Sequence, residues 1–168
     1  MRVAITGRPG IGKTTACLKI HSMLKDKHVI KGFITKEMRE KGVRTGFIIK
    51  ELHTGFSQIL AKKEDGFPRV GKYRVFPESL ERISKRIDEY GDADLIIIDE
   101  IGPMEFKSGV FVNSIIRLID YRKDLIFTVH QRSSHPLAVR IRREFDLITL
   151  TEKNRDRVVM DLVRRFDH

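Results

Sequence analysis

The sequence predicts an α/β fold: an open, mostly parallel sheet with helices on both faces and an antiparallel elaboration at one edge. Three observations carry this expectation. Strand-like runs alternate with segments of helical spacing through most of the chain. The first run, Arg2–Thr6, leads straight into a glycine-rich turn and then a helix. A later run, Asp94–Asp99, is apolar and ends in acids, as a central parallel strand buried on both faces does. At 168 residues, with no repeat, linker or low-complexity segment, the chain suits a single domain spanning 1–168 with a sizeable core.

Taken in order, Arg2–Thr6 reads as a short buried strand and Lys13–Lys25 as a helix. Val29–Met38 and Val43–Leu52 are strand-like runs around Arg39-Glu40-Lys41-Gly42, a hairpin turn. Phe56–Ala61 and Val70–Phe76 are shorter strand candidates, and Lys62–Gly71 reads as a loop. This Val29–Phe76 region breaks the alternation and supplies the antiparallel elaboration. Pro77 opens a helix that places Leu80, Ile83, Ile87 and Tyr90 on one face. After the Asp94–Asp99 strand come a helix over Val110–Tyr121, a strand over Leu125–His130 and a short helix over Pro136–Arg143. Asp146–Thr151 is the last strand. Val158, Val159, Leu162, Val163 and Phe166 give the closing helix its apolar stripe.

Composition narrows the function classes. No apolar run approaches the roughly 18–20 residues of a membrane span, and Met1–Thr6 has no signal-peptide pattern, so a cytoplasmic protein is expected; the sequence leaves the oligomeric state open, with a monomer favoured. Cys17 is the only cysteine, which leaves no intramolecular disulfide and suits a small packing residue in the first helix. The six histidines show no metal-ligand spacing. A net charge of +10 admits nucleic acid as a partner. It equally fits a surface that attracts anionic nucleotides, and no aromatics are interleaved as a stacking platform requires, so nucleic acid is not the favoured partner.

Gly7-Arg8-Pro9-Gly10-Ile11-Gly12-Lys13-Thr14 fits G-x-x-x-x-G-K-[ST] in full, between a strand and a helix, where its mechanism needs it. Glycines let backbone amides wrap a phosphate, and the helix N-terminus adds partial positive charge. Lys13 is placed to neutralise β- and γ-phosphate oxygens, and the Thr14 hydroxyl to bind Mg2+. This P-loop predicts a nucleoside triphosphate and its metal. Leu95-Ile96-Ile97-Ile98-Asp99-Glu100 is the second element, with Asp99 at a strand end as the metal carboxylate. Glu100, directly after it, is expected to activate water for attack on the γ-phosphorus, which favours hydrolysis over transfer. The alternative is a solvated carboxylate that shapes the loop.

Other residues are less sharply assigned. Thr128, His130, Gln131 and Arg132 end a strand on the ligand side of the sheet. Thr128 or His130 is a candidate γ-phosphate sensor and Arg132 a candidate cation for the transition state; a structural hydrogen-bonding role fits His130 equally. His135-Pro136 marks a helix start. Asn154 or Arg155 is a candidate base contact, against a reading in which Thr151 and Asn154 cap the final helix.

Together the motifs resemble the small nucleoside-triphosphatase family of thermophilic bacteria and archaea, related to the animal cancer-related nucleoside-triphosphatase. The resemblance covers nearly the whole chain. It rests on Gly7–Thr15, Gly32-Phe33-Ile34-Thr35-Lys36-Glu37, Arg69-Val70-Gly71-Lys72-Tyr73, Ile98-Asp99-Glu100-Ile101-Gly102-Pro103-Met104-Glu105, Thr128-Val129-His130-Gln131-Arg132 and Asn154-Arg155. It implies a RecA-like sheet and slow, Mg2+-dependent hydrolysis of several triphosphates (ATP, GTP, CTP and UTP) to diphosphate and phosphate. It also implies a nucleotide site formed by Gly7–Thr14 with Thr15, and by Leu95, Ile96, Ile97, Ile98, Asp99, Glu100, Ile101 and Gly102. Glu105 is either a second carboxylate near that site or a helix cap near Lys107. A small nucleotide or metabolite kinase is the alternative activity. A nucleic-acid-linked ATPase or nucleotide-controlled binding module is the alternative of another class.

Overall fold

The chain, Met1–His168, is described throughout by a computed structural model. Its strands are β1 (Arg2–Thr6), β2 (Ile30–Glu40), β3 (Val43–Glu51), β4 (Ser57–Lys62), β5 (Arg69–Val70), β6 (Tyr73–Val75), β7 (Leu95–Ile101), β8 (Asp124–Val129) and β9 (Asp146–Thr149). Its α-helices are α1 (Lys13–Leu24), α2 (Pro77–Ile87), α3 (Gly109–Asp120), α4 (Pro136–Glu144) and α5 (Arg155–Asp167). The strands form one sheet in the order β5-β6-β4-β3-β2-β7-β8-β1-β9. β2, β7, β8, β1 and β9 pair in parallel, and β3, β4, β6 and β5 continue antiparallel beyond β2. β8 therefore lies between the strand that feeds the glycine loop and the strand that carries Asp99, the RecA-like order.

Strand alternation explains the two layers of core. Along β7, Ile96 and Ile98 join the cluster containing Leu80 and Ile83 of α2, Phe111 and Ile115 of α3, and Leu137 and Ile141 of α4. Leu95 and Ile97 point the other way, into the cluster containing Cys17 and Ile20 of α1 and Val158 and Leu162 of α5. Each helix buries its apolar stripe on one face of a continuous sheet, as the periodicity predicts. No helix is long and apolar enough to cross a membrane.

Gly32 sits at the joint between the parallel and antiparallel halves. Its φ is +152°, and a Cβ there would lie 1.8 Å from the Ile97 carbonyl oxygen of β7. Only glycine lets β2 pair this closely. The hairpin between β2 and β3 turns on Lys41 (φ +49°) and Gly42 (φ +78°) alone. That two-residue turn with both central φ positive matches the twist of the strands it joins. It is tighter than the four-residue turn the sequence suggests.

Several ends shift by a residue or two, β7 running on past Asp99 to Ile101 and β9 stopping at Thr149, and two elements differ more. Val70–Phe76 is not one strand: it folds back at Gly71-Lys72 so that β5 pairs with β6, Val70 opposite Tyr73. The loop before it shortens accordingly. Tyr90 is buried, but in a separate 3-10 turn, Tyr90–Asp92, after α2 has ended. What holds it there is tertiary, for its ring stacks on Phe33 and its hydroxyl donates to Glu51 at 2.5 Å.

Candidate functional site

The glycine loop joins β1 to α1, with Gly12 at the N-cap of α1 and Lys13 and Thr14 in its first turn. The loop is anchored at its ends. Ile11 is buried in the core at 2% exposure, and the Ile11 amide donates to the Arg8 carbonyl at 3.2 Å. The Lys13 ammonium lies back over the loop, donating to the carbonyls of Gly7 (2.9 Å) and Arg8 (3.3 Å). A helix N-terminus and a cation thus converge on one concave surface, the arrangement that binds phosphate.

Asp99 is the hub opposite the loop. It is 2% exposed, and three elements reach it. The Thr14 hydroxyl donates to its Oδ2 at 2.7 Å, the Thr128 hydroxyl to its Oδ1 at 2.6 Å, and the Thr35 amide to Oδ2 at 3.4 Å. The Thr35 hydroxyl also donates to the Asp99 carbonyl at 3.1 Å. Burial pushes the Asp99 carboxyl above its usual range, against the pull of these hydrogen bonds and of Lys13. The Thr14 hydroxyl beside a single carboxylate is an all-oxygen donor pair of the kind Mg2+ takes, with phosphate and water completing the shell. No group of three or more His, Cys, Asp or Glu side chains that could hold a metal ion is present.

Beyond Asp99 the register of β7 against β8 shifts between Ile98 and Ile101, and the Asp99–Glu100 peptide bond is cis. Glu100 faces the same cleft as Lys13, Thr14 and Asp99. Burial, then the negative charge of Asp99, raises its carboxyl. Glu105 settles toward the site: it is 4% exposed, and its Oε2 accepts from the Gly102 amide at 3.1 Å. Burial and the neighbouring Glu100 push it well above the carboxylate range. Gly102 is flanked by both acids. A Cβ added there would lie 3.2 Å from Glu100 Oε1 and 3.6 Å from Glu105 Oε2.

The remaining expected residues divide. Leu95, Ile96, Ile97 and Ile98 are buried in the core and position Asp99 rather than line the cleft. Pro9, Gly10, Gly12 and Thr15 line it, whereas Arg8 is exposed and bonds Glu152 at 2.7 Å. His130 takes the hydrogen-bonding role: its amide donates to the Ile101 carbonyl at 3.1 Å, and its Nδ1 accepts from the Arg132 amide at 3.2 Å. Burial, followed by the charge of Lys13, lowers its pKa. Arg132 is exposed and lies outside the cleft wall. Asn154 braces the turn into α5, accepting from the Thr151 amide at 2.7 Å while its own amide donates to the Thr151 hydroxyl at 3.2 Å. Arg155 donates to the Ile11 carbonyl at 3.3 Å and borders a smaller cleft of about 260 Å3 with Gly12, Thr15, Lys19 and Asp156. Cys17 is fully buried, and burial raises its thiol well above the usual value. His135 caps α4, accepting from the Leu137 amide at 3.1 Å.

Sequence reasoning missed part of the site. The main cleft, about 590 Å3, is also walled by Thr35, Lys36 and Glu37 of β2 and by Arg44 and Phe47 of β3. Thr35, Lys36 and Glu37 fall in a segment that carries the family resemblance, yet its position gives no hint of phosphate chemistry. Nothing local marks Arg44 or Phe47.

Comparison with known proteins places the chain in a family. The family model described as NTPase matches residues 2–163. The nucleoside-triphosphatase THEP1 of Archaeoglobus fulgidus is 50% identical over 98% of both chains. That of Methanosarcina barkeri is 41% identical over 99% of this chain and 97% of its own. Among solved structures, THEP1 from Aquifex aeolicus superposes with a TM-score of 0.82 at 32% identity, covering both chains completely. A human cancer-related nucleoside triphosphatase also gives 0.82, at 30% identity over 98% and 96% of the two chains. With a phosphate loop, a buried Asp99 and the adjoining Glu100 in one cleft, and with relatives matched end to end, the chain belongs to this NTPase family of small nucleoside-triphosphatases.

Proposed function

We propose that the chain is a Mg2+-dependent nucleoside-triphosphatase that releases the terminal phosphate of ATP, GTP, CTP and UTP. The observation that carries this reading is Glu100, an acid in the cleft directly beside the Asp99–Thr14 pair and Lys13. Lys13 would neutralise oxygens of the β- and γ-phosphates, and Thr14 and Asp99 would hold the ion. Bound there, Mg2+ supplies charge neutralisation on the phosphate oxygens. Glu100 orients a water in line with the γ-phosphorus and takes its proton. The new P–O bond forms as the bond to the bridging oxygen breaks, and diphosphate leaves with the electron pair. The raised pKa of Glu100 makes it a stronger base than an ordinary carboxylate.

Broad base tolerance fits the smaller cleft by Arg155. There the lining includes Lys19, Asp156 and Arg155, the first two in an exposed pair at 3.5 Å, with no enclosed, base-shaped pocket around them. The slow rate belongs to the family resemblance. The same reading has residues 1–168 acting as one domain, a monomer in the cytoplasm, with no need of nucleic acid or membrane.

A phosphate-release panel over the four triphosphates tests it, with and without Mg2+, an acceptor or nucleic acid. Release with Mg2+ alone is expected. Strict dependence on an added acceptor would establish the kinase alternative instead, and strong salt-sensitive stimulation by nucleic acid the other. Glu100→Gln should retain triphosphate binding while losing roughly 10²- to 10⁴-fold in turnover. Near-normal turnover in that variant rules out water activation by Glu100.

A further inference from the structure

Two clefts border the phosphate loop, and they differ in chemistry. The smaller one is bordered by Arg155 and the start of α5 and holds none of the site's carboxylates. The larger one contains Lys13, Thr14, Asp99 and Glu100, so it receives the end of the triphosphate where bond cleavage would occur. Asp99 and Glu100 bring two acids to it, and Glu105 backs Glu100 across Gly102 from a buried position. A polyanion entering that end needs more positive charge than Lys13 provides. The opposite wall carries two cations, Lys36 and Arg44, against the single acid Glu37.

Arg44 is held in place for such a contact. Its Nε donates to the Tyr73 hydroxyl at 2.9 Å, and its Nη1 donates to Glu37 Oε1 at 3.3 Å. Its guanidinium lies 5.2 Å from the Phe47 ring centre and 5.6 Å from that of Tyr73. These contacts fix the planar group while leaving further N–H donors for an anion, which reduces the ordering cost of binding. The Tyr73 hydrogen bond, with Glu37, keeps the guanidinium charge even more firmly than usual.

We infer that Arg44, assisted by Lys36, contacts the terminal phosphate and makes the site prefer nucleoside triphosphates over diphosphates. The β2–β3 hairpin is then a working wall of the nucleotide site. The inference rests on the triphosphate reading of the cleft, but its test does not depend on turnover.

The test is equilibrium binding of ADP and of a non-hydrolysable ATP analogue, with Mg2+, to the intact chain and its variants. Arg44→Ala should weaken the triphosphate analogue roughly 10- to 100-fold, the loss of a hydrogen bond to a charged group, and ADP less than about twofold. Arg44→Lys should keep the charge but lose the fork and fall between Arg44→Ala and the unmodified chain. Lys36→Ala should weaken the analogue alone, by a smaller factor. Arg39→Ala is the control for the hairpin. It removes the other arginine bound to Glu37, at 2.7 Å, from outside the cleft wall, and both affinities should stay unchanged. Equal weakening of both ligands by Arg44→Ala, or no weakening, overturns the inference. If Arg44→Ala lowers the melting temperature, Arg44→Lys and Lys36→Ala decide on the same criterion. Discrimination that follows Arg44 in a chain releasing no phosphate would overturn the hydrolytic reading and leave this one standing.

Discussion

One buried acid in the antiparallel half of this sheet and a cluster of three at the end of β7 have opposite energetics. Glu51, at the end of β3, is 1% exposed, yet it is fully matched. Arg86 donates to it from Nε and Nη2 at 2.6–3.1 Å, Tyr90 donates at 2.5 Å, and the Thr54 hydroxyl donates as well. Burial works to raise its pKa, but these partners win and hold it at about 2. Asp99 and Glu100 near the end of β7, and Glu105 just after it, have no arginine partner, and burial pushes all three upward. The first ties the hairpin to α2. The second holds acids that favour their neutral form until a cation arrives, with Lys13 the nearby protein cation acting on Asp99 and Glu100. Perturbed acids gathered in a cleft are the ones that mark a candidate functional site.

The contrast can be broken most severely at the loop. Lys13→Ala should abolish measurable triphosphate binding while leaving the melting temperature close to that of the unmodified chain, since the lysine touches only loop carbonyls. Loss of binding accompanied by unfolding would place Lys13 with the structural group. Gly32→Ala attacks the joint between the two halves, because its Cβ meets the Ile97 carbonyl, a backbone atom that cannot swing aside. A cost of about 4 kcal/mol or more is expected in denaturant unfolding, and a mild effect would show that β2 slides easily against β7.

The smallest effect separates the two acid groups by pH. Glu51 has a folded-state pKa of about 2 against an ordinary value of 4.5. Its stabilisation is therefore present above 4.5 and is lost as the pH falls from 4.5 toward 2. The raised acids of the site have the opposite sign: they favour the fold when protonated and oppose it when ionised. Glu51→Gln should cost about 2 kcal/mol at neutral pH and flatten the acid limb of the stability profile. An unchanged acid limb would show that Glu51 does not govern it.

Much of the parallel half was legible in the sequence because its signals are local. Arg2–Thr6, the glycine loop and α1 follow one another without interruption, and the apolar run before Asp99 needs no partner to be recognised. The antiparallel half was legible only as a departure from alternation. It contains eleven of the 33 Lys and Arg residues but only five of the 23 Asp and Glu between Val29 and Phe76, a bias without meaning until the hairpin is folded against the cleft. Val70–Phe76 misled because a fold-back at Gly71-Lys72 needs a pairing partner to be visible. Tyr90 continued the helical spacing of α2, but Phe33 and Glu51 decided its place.

The sequence by itself determined the phosphate loop, the acid pair Asp99-Glu100 and the fold class, since each is written in contiguous residues whose local geometry is their function. The tertiary structure alone decided which distant groups share the site. Sheet order places β8 beside β7, bringing Thr128 to Asp99, and places β2 on its other side, bringing Thr35. The hairpin then carries Lys36 and Arg44 to the cleft, while Arg132 stays on the surface. Adjacency across strands depends on pairing and register, which no single segment encodes.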